Sequence, residues 1–301
     1  MRTLRRAVRL RSARWALVVL GLAAFVAVFG GWLAPQDPLQ QNPGDILQGP
    51  SFGDPATAHW LGTDYLGRDV LSRLLEGSGR SIVMAVEAVT VGLVLGIPAG
   101  LASVTLGRVF TWVSLRFVDA LMTLPFMVFV VAVTGIIGND PTQAMVTLGV
   151  LLTPFFYRIT RAAALGLSAA QYVEVAELFG ASRLWLLRVH IWSKVLPTVA
   201  VTAANALGAA LLAVSSLSFL GIGVQPPLAT WGGMLASDLG YLYQKPWAPI
   251  VPSLAIILTV AACNALADAV RDTSGVPEEI PAVSASTSPV TPQPAGIGSA
   301  P

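Results

Sequence analysis

Gln171-Tyr172-Val173-Glu174-Val175-Ala176-Glu177-Leu178-Phe179-Gly180-Ala181-Ser182 is a polar helical segment set between long apolar runs, and it continues through Arg183-Leu184 to Val195-Leu196-Pro197. A membrane chain spends a loop of this length on contact with something soluble. Helical spacing puts Val175, Leu178 and Phe179 on one face, with Glu174 and Glu177 alongside. Gly180 permits a sharp change of direction, because only glycine takes positive φ without steric cost. Ser182 is placed to cap a second short helix, in which Leu184, Leu187 and Ile191 recur at helical spacing while Arg183, Arg188 and Lys194 carry charge.

The rest of the composition agrees with a membrane setting. Of 301 residues, 54% are hydrophobic and 11% charged, against roughly 25% charged in soluble domains. Cys263 is the single cysteine, which excludes an internal disulfide and a cysteine-based metal site. His59 and His190 are the only histidines, too few for a histidine-rich metal site. No Gly-x-x-x-x-Gly-Lys-Ser/Thr phosphate loop occurs. The chain is therefore expected to carry no cofactor and no catalytic residue of its own; if ATP drives its work, another polypeptide binds ATP and Mg and hydrolyses the nucleotide. No nucleic-acid partner is expected.

Six apolar runs approach the roughly 20 helical residues that a bilayer core requires: Trp15–Leu33, Ser81–Thr105, Phe117–Ile137, Thr142–Ile159, Thr198–Ile222 and Ile250–Ala269. Six arginines precede the first (Arg2, Arg5, Arg6, Arg9, Arg11 and Arg14), but it is longer than a signal-peptide core and Leu33-Ala34-Pro35 offers no small-x-small cleavage site, so it reads as an uncleaved span. With the N-terminus inside, those six arginines and Arg108, Arg116, Arg158, Arg161, Arg183, Arg188, Lys194 and Arg271 are cytosolic. Only Arg68, Arg73, Arg80 and Lys245 then lie outside, as the positive-inside rule requires. The expectation is an all-α membrane protein with six transmembrane helices and both termini cytosolic. Its parts are residues 1–34 (cytosolic N-terminus and first span), 35–80 (extracytoplasmic segment), 81–272 (a five-helix core with a cytosolic loop at 168–197) and 273–301, a Pro-rich tail expected to be disordered.

The Glu-x-Ala-x-x-x-Gly pattern at Glu174, Ala176 and Gly180 resembles the EAA signature of permease subunits of bacterial ABC importers. Val175 replaces the usual middle alanine, and the closing Leu196-Pro197 falls about one helical turn later than is usual, which lengthens the expected descent into the next span. The resemblance implies a type I ABC importer permease whose coupling helix docks on a separate ATPase through Glu174, Ala176, Gly180, Ala181, Ser182 and Arg183. The implied partners are a homologous second permease, two P-loop ATPase subunits or domains, an extracytoplasmic peptide-binding protein and the lipid of the bacterial cytoplasmic (inner) membrane.

Three further elements narrow the resemblance. His59-Trp60-Leu61-Gly62-Thr63-Asp64-Tyr65-Leu66-Gly67-Arg68-Asp69-Val70-Leu71-Ser72-Arg73 alternates charge at short helical spacings, so Asp64 and Asp69 are more simply ion-paired than catalytic. It is similar to the Gly-Thr-Asp-x-x-Gly-Arg-Asp element of dipeptide and oligopeptide importer permeases, specifically the second permease of each pair. Leu217-Ser218-Phe219-Leu220-Gly221-Ile222-Gly223-Val224-Gln225-Pro226-Pro227 with Trp231-Gly232 follows the fifth span, where Trp231 suits a headgroup interface. Asn264, Asp268 and Arg271-Asp272 close the sixth, with Ala267 where a glycine is usual. The family is associated with dipeptides, oligopeptides, glutathione and nickel complexes, among which the sequence does not choose.

Glu87 lies within the second span, where a carboxylate costs about 2.5–3.5 kcal/mol on insertion scales and should face protein or water. It either lines the translocation path or makes a packing hydrogen bond, and Arg80, two turns earlier, is placed to screen it. Gly92, Gly96 and Gly100 form a stripe for close helix approach, within the bundle or against the partner permease. Arg116 and Asp119 are one turn apart and expected to pair, and Pro125 interrupts the third span. The alternatives from other classes are an ion-gradient-driven secondary transporter, for which Glu87 is the candidate coupling group, and a membrane hydrolase built on His59, Asp64 and Asp69.

Overall fold

The computed structural model describes residues 11–54, 58–168 and 170–274. Arg2, Arg5, Arg6 and Arg9, and the Pro-rich stretch from 275 onward, lie outside the described residues. The described chain is helical: α1 (Arg11–Leu33), α2 (Val70–Thr105), α3 (Arg108–Met122), α4 (Phe126–Ile137), α5 (Pro141–Ser168), α6 (Gln171–Leu178), α7 (Arg183–Leu186), α8 (Trp192–Phe219), α9 (Trp231–Leu239) and α10 (Ile250–Ser274). No strand occurs among the described residues, only an isolated bridge between Thr63 and Asp69.

The α2–α5 pair is the most extensive contact in the bundle. Lipid gives no hydrophobic drive between helices, so close backbone approach and van der Waals contact must hold such a pair. Glycine supplies the approach. A Cβ on Gly96 would lie 2.7 Å from Phe156 Cβ and 2.8 Å from the Thr153 carbonyl, and one on Gly149 of α5 would lie 2.7 Å from the Ala88 carbonyl. Gly92 faces Leu152 and Phe156, and Gly100 faces Tyr157 and Thr160, so the glycine stripe is used inside this chain. Gly96→Ala is expected to cost about 1–3 kcal/mol by overpacking, read as a lower unfolding temperature in detergent. Gly21→Ala, with nothing within 4 Å of the added carbon, should leave that temperature unchanged; equal behaviour of the two variants would show that the stripe does not set the helix spacing.

Among the described residues, four helical stretches are individually long and apolar enough to cross a membrane: Arg11–Leu33, Val70–Thr105, Leu187–Phe219 and Ile250–Thr273. The expected third span is two helices, α3 and α4, bent by 90° at the break, and makes a fifth crossing only if the pair counts as one. Pro125 stands at the break as the N-cap of α4, since a proline cannot donate to the preceding turn. The expected fourth span lies in α5, which is long but not among the helices apolar enough by composition. Its buried residues run from Ala144 to Ala164, so neighbouring helices rather than lipid cover much of it.

Several pairings differ from expectation. Asp119 bonds Arg158 of α5 at 2.6 Å, while the Arg116 guanidinium lies over the Trp112 ring. Arg80 pairs with Glu76 at 2.7 Å and with the Ala229 carbonyl, not with Glu87. In both cases a partner on the same helix or across a packed interface outcompetes the spacing read along one helix. The sixth span runs on to Ser274, so the first two residues assigned to the tail are helical.

Helix α2 has 36 residues, about 54 Å at 1.5 Å per residue, and separates two polar ends. Its N-terminal end meets segment 35–69 and the loops around α9. Its C-terminal end meets α6 and the turn into α8, where Val104 and Thr105 share a cavity wall with Val173, Leu186 and Ile191.

Candidate functional site

The loop between α5 and α8 is built as the sequence dictates. Gly180 takes φ +85°, and the Ala181 amide donates to the Ala176 carbonyl at 3.0 Å, the longer bond of a Schellman closure, which needs a left-handed residue at this position. Ser182 caps α7: its Oγ accepts from the Trp185 amide at 3.3 Å, and its carbonyl accepts from Leu186. The chain then passes through a five-residue π turn, Leu187–Ile191, directly into α8. A π turn takes an extra residue without ending a helix, so the late Leu196-Pro197 leaves the descent continuous, with Pro197 inside α8.

The loop has two apolar sides. Val173, Leu186 and Ile191 are buried against the ends of α2 and α5. Leu178 and Phe179 are 82% and 88% exposed, and Val175 is half exposed. Beside them Tyr172, Val175, Ala176, Phe179, Gly180, Ala181 and Trp185 line an open groove of about 550 Å³. Among the described residues, a Cβ on Gly180 would meet nothing within 4 Å. The two halves of the loop are clasped by Lys194, whose ammonium lies 4.0 Å from the Tyr172 ring centre, and by His190 between Trp185 and Tyr172. Glu174 and Arg183 stand on α6 and α7, but their side chains lie outside the described residues. Tyr172 and Lys194 went unremarked as a pair in the sequence, where 22 positions separate them and no periodicity joins them.

At the opposite end, the charged element 59–73 is a buried knot rather than a helix face. Asp64 accepts from the Leu66 and Arg68 amides and from Arg68 Nε at 2.7 Å, with Arg73 Nε at 3.5 Å. Asp69 caps α2 through Ser72, and its other oxygen meets His59 Nδ1 at 3.0 Å. Gly62 and Gly67 hold φ near +74° and +73°, and segment 42–48 packs over both so closely that a Cβ would strike the Gln48 or Asn42 carbonyl. Arg73 also donates to the Pro38 and Pro227 carbonyls. Trp231 is 4% exposed, with its indole N–H on the Leu74 carbonyl and its amide on Ser81 Oγ. It is an internal anchor, not the expected headgroup residue. The knot thus joins the two motifs of this end to each other. Asn139 adds a clamp, bonding the Gly221 carbonyl and the Gly223 amide at 2.9 and 2.6 Å.

Asp238, at the end of the short α9, is buried with Oδ2 lacking a hydrogen-bond partner among the described residues. Burial, only partly offset by Lys245 and Arg73 and reinforced by Asp64, pushes its carboxyl up from 3.8 to about 6. Lys245 is buried too and pulled down by desolvation; it donates to the Thr63 carbonyl at 2.6 Å. With the folded value raised above the unfolded one, the carboxyl ionises earlier in the unfolded chain. Folding is therefore penalised as pH rises through 3.8, and the full penalty, no more than about 3 kcal/mol, is present above pH 6. Asp238→Asn is expected to raise the unfolding temperature in detergent at pH 7.5 and to lose that advantage as pH falls toward 4. An unchanged or lowered unfolding temperature at pH 7.5 would contradict this.

Glu87 is partly buried in α2, with no hydrogen bond or ion pair among the described residues.

Residues 92–274 match the family described as binding-protein-dependent transport system inner membrane component. The chain belongs to this family. Residues 1–50 match the N-terminal transmembrane domain of oligopeptide transport permease C, and the two matches together take in α1, the C-terminal end of α2 and the whole EAA-like loop. Among relatives, the probable D,D-dipeptide transport system permease protein DdpC of Escherichia coli (strain K12) is 34% identical over 255 residues, 85% of this chain and 84% of that protein. The di/tripeptide transport system permease protein DppC of Pseudomonas aeruginosa (strain UCBPP-PA14) is 34% identical over 264 residues, 87% of each. A chain of the inward-facing MetNI methionine ABC transporter superposes with TM-score 0.55 at 19% identity, covering 67% of this chain and 96% of that one, which establishes the shared permease fold. This is a multi-pass ABC importer permease.

Proposed function

We propose that this permease is one half of the translocation path of an ATP-driven importer of dipeptides or oligopeptides in the bacterial cytoplasmic membrane. It pairs with a homologous second permease, receives cargo from an extracytoplasmic binding protein, and is moved by two P-loop ATPase subunits or domains that bind ATP and Mg. The observation that carries this reading is the outward apolar side of the EAA-like loop: Leu178 and Phe179 contribute almost nothing to the packing of this chain and flank an empty groove at Gly180. By this account Glu174 holds the docked loop by polar contact, Ala176 allows close approach, Gly180 with Ala181 and Ser182 sets the bend, and Arg183 opens the second helix.

A continuous helical path supports transmission of ATPase motion. From Arg183 through the π turn to Phe219 the helix is unbroken, so displacement at the loop is carried along α8 to the Gly221–Gly223 clamp at the far end. The clasp of Tyr172 on Lys194 ties α6 to the same lever. The ion-gradient alternative is not favoured, since the family is one of binding-protein-dependent systems. Glu87→Gln tests it directly. If Glu87 lines the path, uptake of a radiolabelled dipeptide should fall by about an order of magnitude, the scale of about 1.4 kcal/mol; near-normal uptake would end that role.

The deciding experiment is mass spectrometry of what co-purifies with the tagged chain from native membranes in mild detergent. Recovery of one homologous permease with one or two P-loop ATPases supports the proposal. A folded chain that is reproducibly recovered alone overturns it.

A further inference from the structure

In the half of the bundle away from the ATPase-docking loop, the last two turns of α8 and the first two of α10 enclose a groove of about 420 Å³. Leu212, Phe219 and Ile257 make its walls apolar, yet Ser215, Ser216 and Ser253 also line it. Ser215 is 7% exposed, and its hydroxyl has no hydrogen-bond partner among the described residues. Ser216 donates to the Leu212 carbonyl, which leaves its oxygen able to accept. A buried hydroxyl without a partner is costly in a membrane-crossing helix, so Ser215, with the free acceptor oxygen of Ser216 beside it, calls for an occupant that hydrogen-bonds.

The chemistry of that occupant is constrained. A transmembrane helix satisfies its own backbone groups internally, and lipid tails offer none, so neither would partner Ser215 through its main chain. An extended short peptide exposes an unpaired N–H and C=O at each residue, and a hydroxyl can both donate and accept. Such contacts are independent of the side chains, which the Leu, Phe and Ile walls accommodate. We infer that this groove is a cargo subsite of the translocation path, in which Ser215, Ser216 and Ser253 hold the backbone of an extended di- or tripeptide. The inference rests on the peptide-importer reading above and assigns its cargo contacts.

The test uses the assembled transporter in cells supplied with a radiolabelled dipeptide. Ser216→Cys keeps nearly the size of the side chain with a weaker hydrogen-bonding group, and its own uptake before modification is the reference. Treatment with benzyl methanethiosulfonate should then lower its uptake at least tenfold, with the second permease and ATPases still co-purifying. The natural chain serves as control, because its only cysteine, Cys263, is buried. Removing all three hydroxyls (Ser215→Ala, Ser216→Ala, Ser253→Ala) should reduce uptake several-fold without loss of assembly. Full uptake by Ser216→Cys shown by mass spectrometry to be modified would overturn the subsite. Loss of the second permease on modification would also overturn it, in favour of a permease–permease contact. If the unmodified natural chain takes up no dipeptide, the peptide reading itself fails, and the occupant assigned to the groove fails with it.

Discussion

Replacing Leu178 and Phe179 together by aspartate is expected to strip the ATPases from the complex while the permease remains folded in the membrane. The two side chains are 82% and 88% exposed, so this chain loses little when they change. Burial of a Leu or Phe side chain is worth roughly 1.5–3 kcal/mol each, and the pair together roughly 3–6 kcal/mol, or about 10²- to 10⁴-fold in association. Aspartate adds the cost of burying charge against an apolar partner. The measurement is the ratio of ATPase to permease after affinity purification, with membrane abundance and unfolding temperature as folding controls. An unchanged ratio would mean that this face does not dock the ATPases, whatever the motif suggests.

The second large effect is at the opposite end. Asp64→Ala is expected to destabilise the permease by about 3–5 kcal/mol, because it leaves buried charge without its counterpart. Arg68 and Arg73 are both buried, and Asp64 takes the Arg68 guanidinium at 2.7 Å and that of Arg73 at 3.5 Å while also closing the turn through two amides. Asp64→Asn keeps the shape and one acceptor oxygen, so it should fall between the two. Unfolding in detergent reads both variants. A loss below about 1 kcal/mol for Asp64→Ala would place the knot among the weakly contributing surface ion pairs instead. Neither Asp64 nor Asp69 is left free for catalysis in this arrangement, since every carboxylate oxygen of the two is engaged in holding the turn or capping α2.

The parts legible in the sequence are those fixed by neighbours along the chain. Gly180 must be left-handed where a helix turns back after Phe179, Ser182 has the side chain an N-cap requires, and both are found in those roles. The apolar runs follow from the length of a bilayer crossing, and the glycine stripe from the spacing of a helix face. The misread residues are those whose partners come from elsewhere. Trp231 has an interfacial composition, but Leu74 and Ser81 claim its two N–H groups. Asp119 is one turn from Arg116, but α5 brings Arg158 closer. Asp238 and Lys245 look like ordinary surface residues in the sequence, and only the fold of segment 35–69 over α9 removes them from water.

The sequence by itself therefore determined the membrane class, the turn at Gly180 and Ser182 and the exposed apolar side of the EAA-like loop, because those depend on local sterics and on transfer out of water. The tertiary structure decided the 90° break between α3 and α4, the pairing of the charged element 59–73 with the loop after α8, and the hydroxyl-lined groove. Those depend on which groups meet across the bundle, and in a medium that offers no water to stand in for a missing partner, each buried polar group takes whichever partner packing brings within reach.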